Sequence, residues 1–230
     1  METIWEALKE AIHLIVSRDP TVIEITWRSL RISVTSTLLA ALVCVPLGGL
    51  ISFRDFPGKR FLLNVIQTLY SVPTVCVGLF VFLLICRSGP LGGEDGWVFT
   101  PAAMVLGQAV LITPIMIGMT VSALSGVDKT IKDTTLSLGA SEAQAIWAII
   151  KEARFAMGAG LILGFGRAIS EVGTAMMLGG NIVGYTRVLT TTIAWETGQG
   201  DFARALALGI ILLCVALVMA VAVNVVQQRH

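Results

Sequence analysis

Two charged residues inside an otherwise apolar stretch have the types and the spacing that could do chemistry. Arg167 and Glu171 lie four residues apart, so a helix places both on one face. A charge at the depth of a hydrocarbon core costs about 2.5–3.5 kcal/mol, so such residues should face protein or a water-filled path. Two interpretations stay open: an ion pair that holds helices together, or a cation beside the path of a charged solute, where it would suit an anion.

The residue sets of catalysis and metal binding are missing from the sequence. His13 and His230 lie near opposite ends, so neither a Ser/His/Asp nor a Cys/His set can be assembled. All four cysteines fall in apolar stretches without a CxxC pattern, which indicates small buried side chains. No phosphate loop of the type G-x-x-x-x-G-K-[ST] occurs. We therefore predict no catalytic residue, no metal site and no cofactor in this chain, and a membrane-embedded enzyme is disfavoured.

Long apolar segments must position Arg167 and Glu171. Hydrophobic residues make up 55% of the 230 residues and charged residues only 13%, whereas a soluble domain would expose far more charge. Five stretches are long enough to cross a hydrocarbon core, which takes roughly 20 apolar residues. They are Ile32–Phe53, Phe61–Cys86, Gly96–Val127, Phe155–Leu178 and Ala205–Gln228. We predict an all-α polytopic membrane protein with about five spans in a single domain, residues 1–230.

Basic residues fall mainly in alternate connections between these stretches. Those connections hold Arg54, Lys59, Arg60, Lys129, Lys132, Lys151 and Arg154, and Arg229 closes the chain. An excess of Lys and Arg marks cytoplasmic loops. Five spans then place the N-terminus outside and the C-terminus in the cytoplasm.

Residues 1–30 are predicted to form N-terminal helices at the membrane interface or against the bundle. Ile4, Leu8, Ile12 and Ile15 repeat at helical spacing, with acidic residues largely opposite, which is typical of an amphipathic helix. Pro20 marks the start of a second helix that runs towards the first span.

Residues 128–154 form the only long polar segment after the first thirty residues, and their pattern is helix, tight turn, helix. Gly139 occupies the position where a helix end favours positive φ. Ser141 and Gln144 have the spacing of a capping box at the next helix start. This segment is predicted to be cytoplasmic and to offer a surface to a partner, and an ordinary interhelical loop is the alternative.

The fourth apolar stretch carries small residues on one face. Ala156, Gly160, Gly164 and Ala168 repeat every four residues, a pattern that permits close packing of helices. The residues that follow, 179–202, are rich in Gly and Thr, which predicts turns or a re-entrant segment on the outside.

Two parts of the sequence resemble a known family. Asp133-Thr134-Thr135, three residues, Gly139, nine residues and Ile149 resemble the cytoplasmic EAA loop of ABC importer permeases. Asp-Thr-Thr replaces Glu-Ala-Ala, and Lys151-Glu152 stands in place of Leu-Pro. The stretches RAISEVG at 167–173 and MLGGNI at 177–182 are similar to those of molybdate, sulfate and tungstate permeases. FTPAAM at 99–104 and the Asp-Thr-Thr form favour the tungstate branch.

The resemblance implies the type I ABC importer permease fold and import of tungstate, with molybdate or sulfate as alternatives. It implies a homodimer around a central path in a bacterial or archaeal cytoplasmic membrane. Two cytoplasmic ATPase subunits would bind ATP and Mg, and an external oxyanion-binding protein would dock on the outer loops at 87–98 and 179–202. No nucleic acid is expected. A self-contained secondary transporter or channel, with Glu171 carrying protons, is the alternative from another class.

The resemblance also assigns roles to residues. The residues that it implies for coupling to the ATPase are Asp133, Thr134, Thr135, Leu138, Gly139, Ala140, Ser141 and Ile149. The residues that it implies for the translocation path or its gate are Arg167, Ser170, Glu171, Gly173, Thr174 and Asn181.

Overall fold

A computed structural model describes residues 4–93 and 96–227, and this part of the chain is helical without β-strands. Arg229, His230 and residues 94–95 of the predicted outer loop lie outside the described residues. The helices are α1 (Ile4–Val16), α2 (Pro20–Phe53), α3 (Lys59–Thr68), α4 (Thr74–Ile85), α5 (Pro101–Ser125), α6 (Lys129–Ser137), α7 (Glu142–Ile169), α8 (Gly173–Gly179), α9 (Leu189–Gln199) and α10 (Phe202–Gln227). A 3₁₀ turn, Leu69–Ser71, follows α3. The all-α prediction is confirmed.

The predicted apolar stretches correspond to three continuous helices and two bent pairs. The helices α2, α5 and α10 are each long and apolar enough to cross a membrane. The segment from α3 to α4 bends by 101°, and the segment from α7 to α8 bends by 60°. Counting each bent pair as one span gives the five predicted crossings. The bend in the fourth stretch was not predicted from the sequence.

The helix α5 lies at the centre of the bundle, where it packs against α2, α7, α8, α3 and α4. The predicted small-residue stripe of α7 faces this helix. A Cβ at Gly160 would lie 3.0 Å from the Cβ of Met119, and one at Gly164 would lie 2.8 Å from the Sδ of Met116. Only residues without a bulky side chain allow this approach, because protein interiors leave no spare volume at such contacts.

The N-terminal helix α1 packs against α10 through two alanines and leaves part of its isoleucine face exposed. Its buried residues are Ala7 and Ala11, whereas Ile4 and Ile12 are exposed. Two alanines one turn apart allow a close approach of helix backbones, and the larger isoleucines are left on the outer side. The second helix begins at Pro20 as predicted and continues without interruption to Phe53 as α2.

The polar segment forms the predicted helix–turn–helix. Gly139 has φ +85° at the end of α6. The Oγ of Ser141 accepts a hydrogen bond from Gln144 N at 3.4 Å, and Gln144 Oε1 accepts one from Ser141 N at 2.8 Å. An ion pair of 3.3 Å between Lys132 Nζ and Glu142 Oε2 connects the two helices. The second helix is longer than a loop helix, because α7 continues into the fourth span.

Residues 179–202 combine a turn, residues 180–188, with the helix α9. A buried carboxylate, Glu196, holds this region to the start of α10. Its Oε1 lies 3.6 Å from Arg187 Nη1 and 3.6 Å from Arg204 Nη1. This pairing depends on how α9 and α10 pack, so local sequence patterns do not indicate it.

Candidate functional site at the break in the fourth span

The break between α7 and α8 lies level with the middle of α5. On the α7 side of the break, Gly164 faces Met116 of α5. On the α8 side, the side chain of Thr174 lies against Gly107. Since α5 runs from Pro101 to Ser125, these two contacts bracket its centre. The residues of the break therefore occupy the mid-depth of the helical bundle.

Glu171 holds the two halves of this bent segment together. Its Oε2 accepts a hydrogen bond from Arg167 Nη1 at 2.8 Å, and its Oε1 accepts one from Thr174 N at 3.0 Å. The side chain is only 2% exposed. Its backbone carbonyl also accepts a hydrogen bond from Thr190 Oγ1 at 2.7 Å. The carboxylate therefore satisfies a backbone donor at the start of α8, which a buried helix terminus requires.

The second bent segment meets the first at this point. Thr174 Oγ1 donates a hydrogen bond of 2.9 Å to the carbonyl oxygen of Thr74, the first residue of α4. Gly173 has no space for a side chain, because a Cβ there would lie 2.8 Å from Val75 Cγ2 and 2.9 Å from Thr74 Oγ1. In transporters, helices that are broken near the bilayer midplane commonly form the substrate pathway.

Arg167 faces a cavity of about 520 Å³ between α7 and α10. Its side chain is 35% exposed, in contrast to the buried carboxylate that it contacts. Within the described residues the guanidinium makes one hydrogen bond, through Nη1, so its other donors remain available. The other residues around the cavity are Ile162, Leu163, Gly166, Ser170, Ala216, Met219, Ala220, Val223 and Asn224. A cation with free donors thus projects into a mainly apolar space.

Five of the six residues predicted for the path or gate lie together at the break: Arg167, Ser170, Glu171, Gly173 and Thr174. The Ser170 hydroxyl donates to the carbonyl oxygen of Gly166 at 2.9 Å. Asn181 lies apart from this group, beyond the far end of α8, which is about 10 Å long. The Asn181 side chain is buried, and its Oδ1 has no hydrogen-bond partner among the described residues.

The sequence analysis missed three residues of this site: Thr74, Thr190 and Asn224. Asn224 had a visible signal, because it interrupts the apolar run of α10. Thr190 belongs to a run of three threonines, which by itself does not indicate a partner. Thr74 follows Pro73 at a helix start and contributes its backbone carbonyl, so its side-chain type gives no signal.

The residues predicted to couple to an ATPase lie in α6, in the turn between α6 and α7, and in the first part of α7. Leu138 is 83% exposed at this turn, and Asp133, Thr134, Gly139 and Ser141 are also exposed. Thr135 and Ala140 are half-buried. Ile149 is buried and packs in the cluster that joins α7 to Leu124 of α5. It therefore anchors the turn to the bundle.

The start of α6 is fixed by Asp128. Its Oδ1 accepts hydrogen bonds from Thr130 N at 2.8 Å and from Thr130 Oγ1 at 2.7 Å. These bonds favour the carboxylate form, so they lower the pKa of Asp128 from its ordinary value.

Comparison with known proteins agrees with this architecture. The Tungstate uptake system permease protein TupB of Peptoclostridium acidaminophilum is 40% identical over 229 residues, covering 100% of both chains. TupB of Campylobacter jejuni is 37% identical, covering 94% of this chain and 90% of the relative. A sulfate transport system permease protein CysW from Synechococcus elongatus is more distant, at 28% identity over 70% of this chain and 62% of the relative.

Solved structures of ABC transporters have the same fold. A bacterial ABC transporter involved in the import of alginate has a TM-score of 0.73 at 17% identity, covering 99% of this chain and 85% of that chain. The inward-facing MetNI methionine transporter has a TM-score of 0.70 at 15% identity, covering 91% and 96%. The model of the family described as "binding-protein-dependent transport system inner membrane component" matches residues 44–230. The chain is therefore a membrane-embedded ABC importer permease and belongs to this family of binding-protein-dependent inner membrane components.

Proposed function

We propose that this chain is the permease subunit of an ATP-driven, binding-protein-dependent importer for tungstate. The observation that carries the proposal is the 40% identity to a tungstate permease over the full length of both chains. The sulfate permeases in the comparison are 24–29% identical, which favours tungstate over sulfate.

The proposed path runs along the break in the fourth span. Arg167, Ser170, Glu171, Gly173 and Thr174 line the path or form its gate, with Asn181 nearer the far end of α8. Among the described residues the cavity beside Arg167 is lined by α7, Ser170 just after it, and α10, so a second copy of the chain could close it. A homodimer with one cavity in each half is the assembly that this suggests.

ATP hydrolysis is proposed to act through the turn between α6 and α7. The ATP and Mg would be held by two cytoplasmic ATPase subunits, and the exposed Leu138 would enter a groove on one of them. Because α7 continues from this turn to Ile169, a displacement at the turn would move the residues of the break as one rigid helix. This supplies a mechanical connection between the ATPase and the path.

The proposed orientation places the α6–α7 turn in the cytoplasm of a bacterial or archaeal cell. The N-terminus is then outside and the C-terminus inside, in keeping with the basic residues Arg54, Lys59 and Arg60 on the cytoplasmic side. The outer loops at 87–98 and 179–202 would receive the external binding protein.

The test is reconstitution of this chain in proteoliposomes with its cognate ATPase and tungstate-binding protein. We expect tungstate uptake that requires ATP and both partners, and that excess molybdate or sulfate inhibits weakly. Uptake without the ATPase would instead establish a gradient-driven transporter. Preferential uptake of molybdate or sulfate would correct the substrate.

A further inference from the structure

We propose that the cavity between α7 and α10 is a transient oxyanion site in which Arg167 binds the anion. The inference rests on the proposed function and adds direct contact between the substrate and this side chain. It starts from the unequal environments of the ion pair, since Glu171 is 2% exposed and Arg167 is 35% exposed.

The hydrogen bonds of Glu171 favour a positioning role over that of a mobile proton carrier. Both carboxylate oxygens are occupied, Oε2 by Arg167 and Oε1 by the backbone of Thr174. A carboxylate held in this way orients the guanidinium, as a buried partner orients a functional group. Glu171 is therefore a positioning residue, and Arg167 is the group that reaches the cavity.

The free donors of Arg167 match an oxyanion. A guanidinium offers five N–H donors in a planar fork, and one of them is used by Glu171 within the described residues. The others can bind two oxygens of a tetrahedral anion side by side. Asn224, which lies on the α10 wall of the same cavity and makes no hydrogen bond within the described residues, offers a further N–H donor along it. The apolar neighbours Met219 and Val223 lower the local polarity around these contacts.

The ion pair also explains why such a site would release its ligand. Glu171 already neutralises the charge of Arg167, so an incoming dianion meets a polarised pair in place of a full positive charge. A conduction site must bind strongly enough to admit an ion and weakly enough to release it. The volume of about 520 Å³ leaves space for an anion that retains some of its water.

The experiment compares tungstate uptake with binding-protein-stimulated ATP hydrolysis in the same reconstituted complexes. Arg167→Gln is expected to lower tungstate transported per ATP hydrolysed by about tenfold, the effect of losing a charge-assisted hydrogen bond. Arg167→Lys keeps the charge and the pair with Glu171 but loses the planar fork, so an intermediate ratio is expected. Asn224→Ala should lower the ratio by about threefold, the effect of losing one neutral hydrogen bond.

Arg60→Gln is the matched control, because Arg60 is an exposed arginine at the start of α3, outside the cavity. Its ratio should equal that of the wild type. If Arg167→Lys and Asn224→Ala both transport with the wild-type ratio, the anion site is overturned while the permease function stands. If the wild-type complex itself transports no tungstate, the proposed function is overturned and the anion site falls with it.

Discussion

Thr174 of α8 donates a hydrogen bond of 2.9 Å to the carbonyl oxygen of Thr74, a residue 100 positions earlier in the chain. This bond joins the break in the second span to the break in the fourth. The two bends, of 101° and 60°, thus share one point of contact at the mid-depth of the bundle. We therefore expect a displacement of α7 that reaches the break to displace α4 as well.

Removing this hydrogen bond should destabilise the junction, by which we mean the contact of α8 with the start of α4. Thr174→Val keeps the side-chain shape but removes this hydrogen bond, and since the carbonyl of Thr74 lies in the first turn of α4 and keeps its acceptor role there, the cost should be about 0.5–1.5 kcal/mol. We expect a lower thermal unfolding temperature in detergent. Thr35→Val is the control, because Thr35 is exposed on α2 and bonds only within its own helix. Equal stability of the two variants would contradict the role assigned to the junction.

Glu171 is predicted to stabilise the fold through two hydrogen bonds, of which a glutamine at this position can replace one. Glu171→Gln keeps an oxygen that can accept from Thr174 N, so it should cost about 1 kcal/mol, whereas Glu171→Ala should cost about 2–3 kcal/mol. Thermal unfolding in detergent measures both. Glu24→Gln is the control, since it removes the same charge from a carboxylate that is 55% exposed and paired with Arg28, and it should change stability by less than about 0.5 kcal/mol.

The Glu171→Gln variant also distinguishes an ATP-driven importer from a proton-driven secondary transporter. If Glu171 carried protons, Glu171→Gln would abolish uptake even in well-folded protein. We expect ATP-driven uptake to persist in the folded fraction of this variant, because the carboxylate positions Arg167. Uptake normalised to folded complex is the measurement, and complete loss would contradict the positioning role.

The exposed leucine at the α6–α7 turn should contribute to binding of the ATPase without contributing to the fold. Leu138→Ala removes an apolar side chain that is 83% exposed in this chain. Burying a leucine at an interface is worth about 1.5–3 kcal/mol, so the retained ATPase should fall by roughly tenfold or more on co-purification. Val183→Ala, in the turn at the opposite part of the molecule, should retain the ATPase fully.

Asp128 should make the start of α6 sensitive to acid. Its pKa is lowered in the folded state, so its contribution is present above the unfolded pKa, about 3.9, and is lost as pH falls through the folded value. The protection of the α6 amides against hydrogen exchange, taken relative to the intrinsic exchange rate at each pH, should therefore fall as the pH drops from about 5 to about 3. Asp128→Asn keeps an acceptor that does not titrate, and it should flatten this dependence. Equal pH profiles for both proteins would contradict the cap.

Local patterns were sufficient for a large part of the fold. The apolar stretches, the positive φ of Gly139 and the capping box of Ser141 depend on residues within about four positions of one another. The spacing of Arg167 and Glu171 predicted that the two would meet on one helical face; Arg167 Nη1 does lie 2.8 Å from Glu171 Oε2, but α7 ends at Ile169 and Glu171 lies beyond the helix. Each of these features follows from residues that are close together in the sequence.

Other features required the packed molecule. The sequence left open whether Arg167 and Glu171 form a structural pair or face a path. In the tertiary structure the two residues have different surroundings, because Glu171 accepts a hydrogen bond from Thr174 N whereas Arg167 faces the cavity. The contact of α1 through Ala7 in place of its isoleucines was also decided by packing. The sequence alone determined which segments are helical and apolar, since hydrogen bonding and hydration act along the chain. Which breaks meet, and which charge remains available to a ligand, depended on the tertiary structure, because steric fit between distant segments decides them.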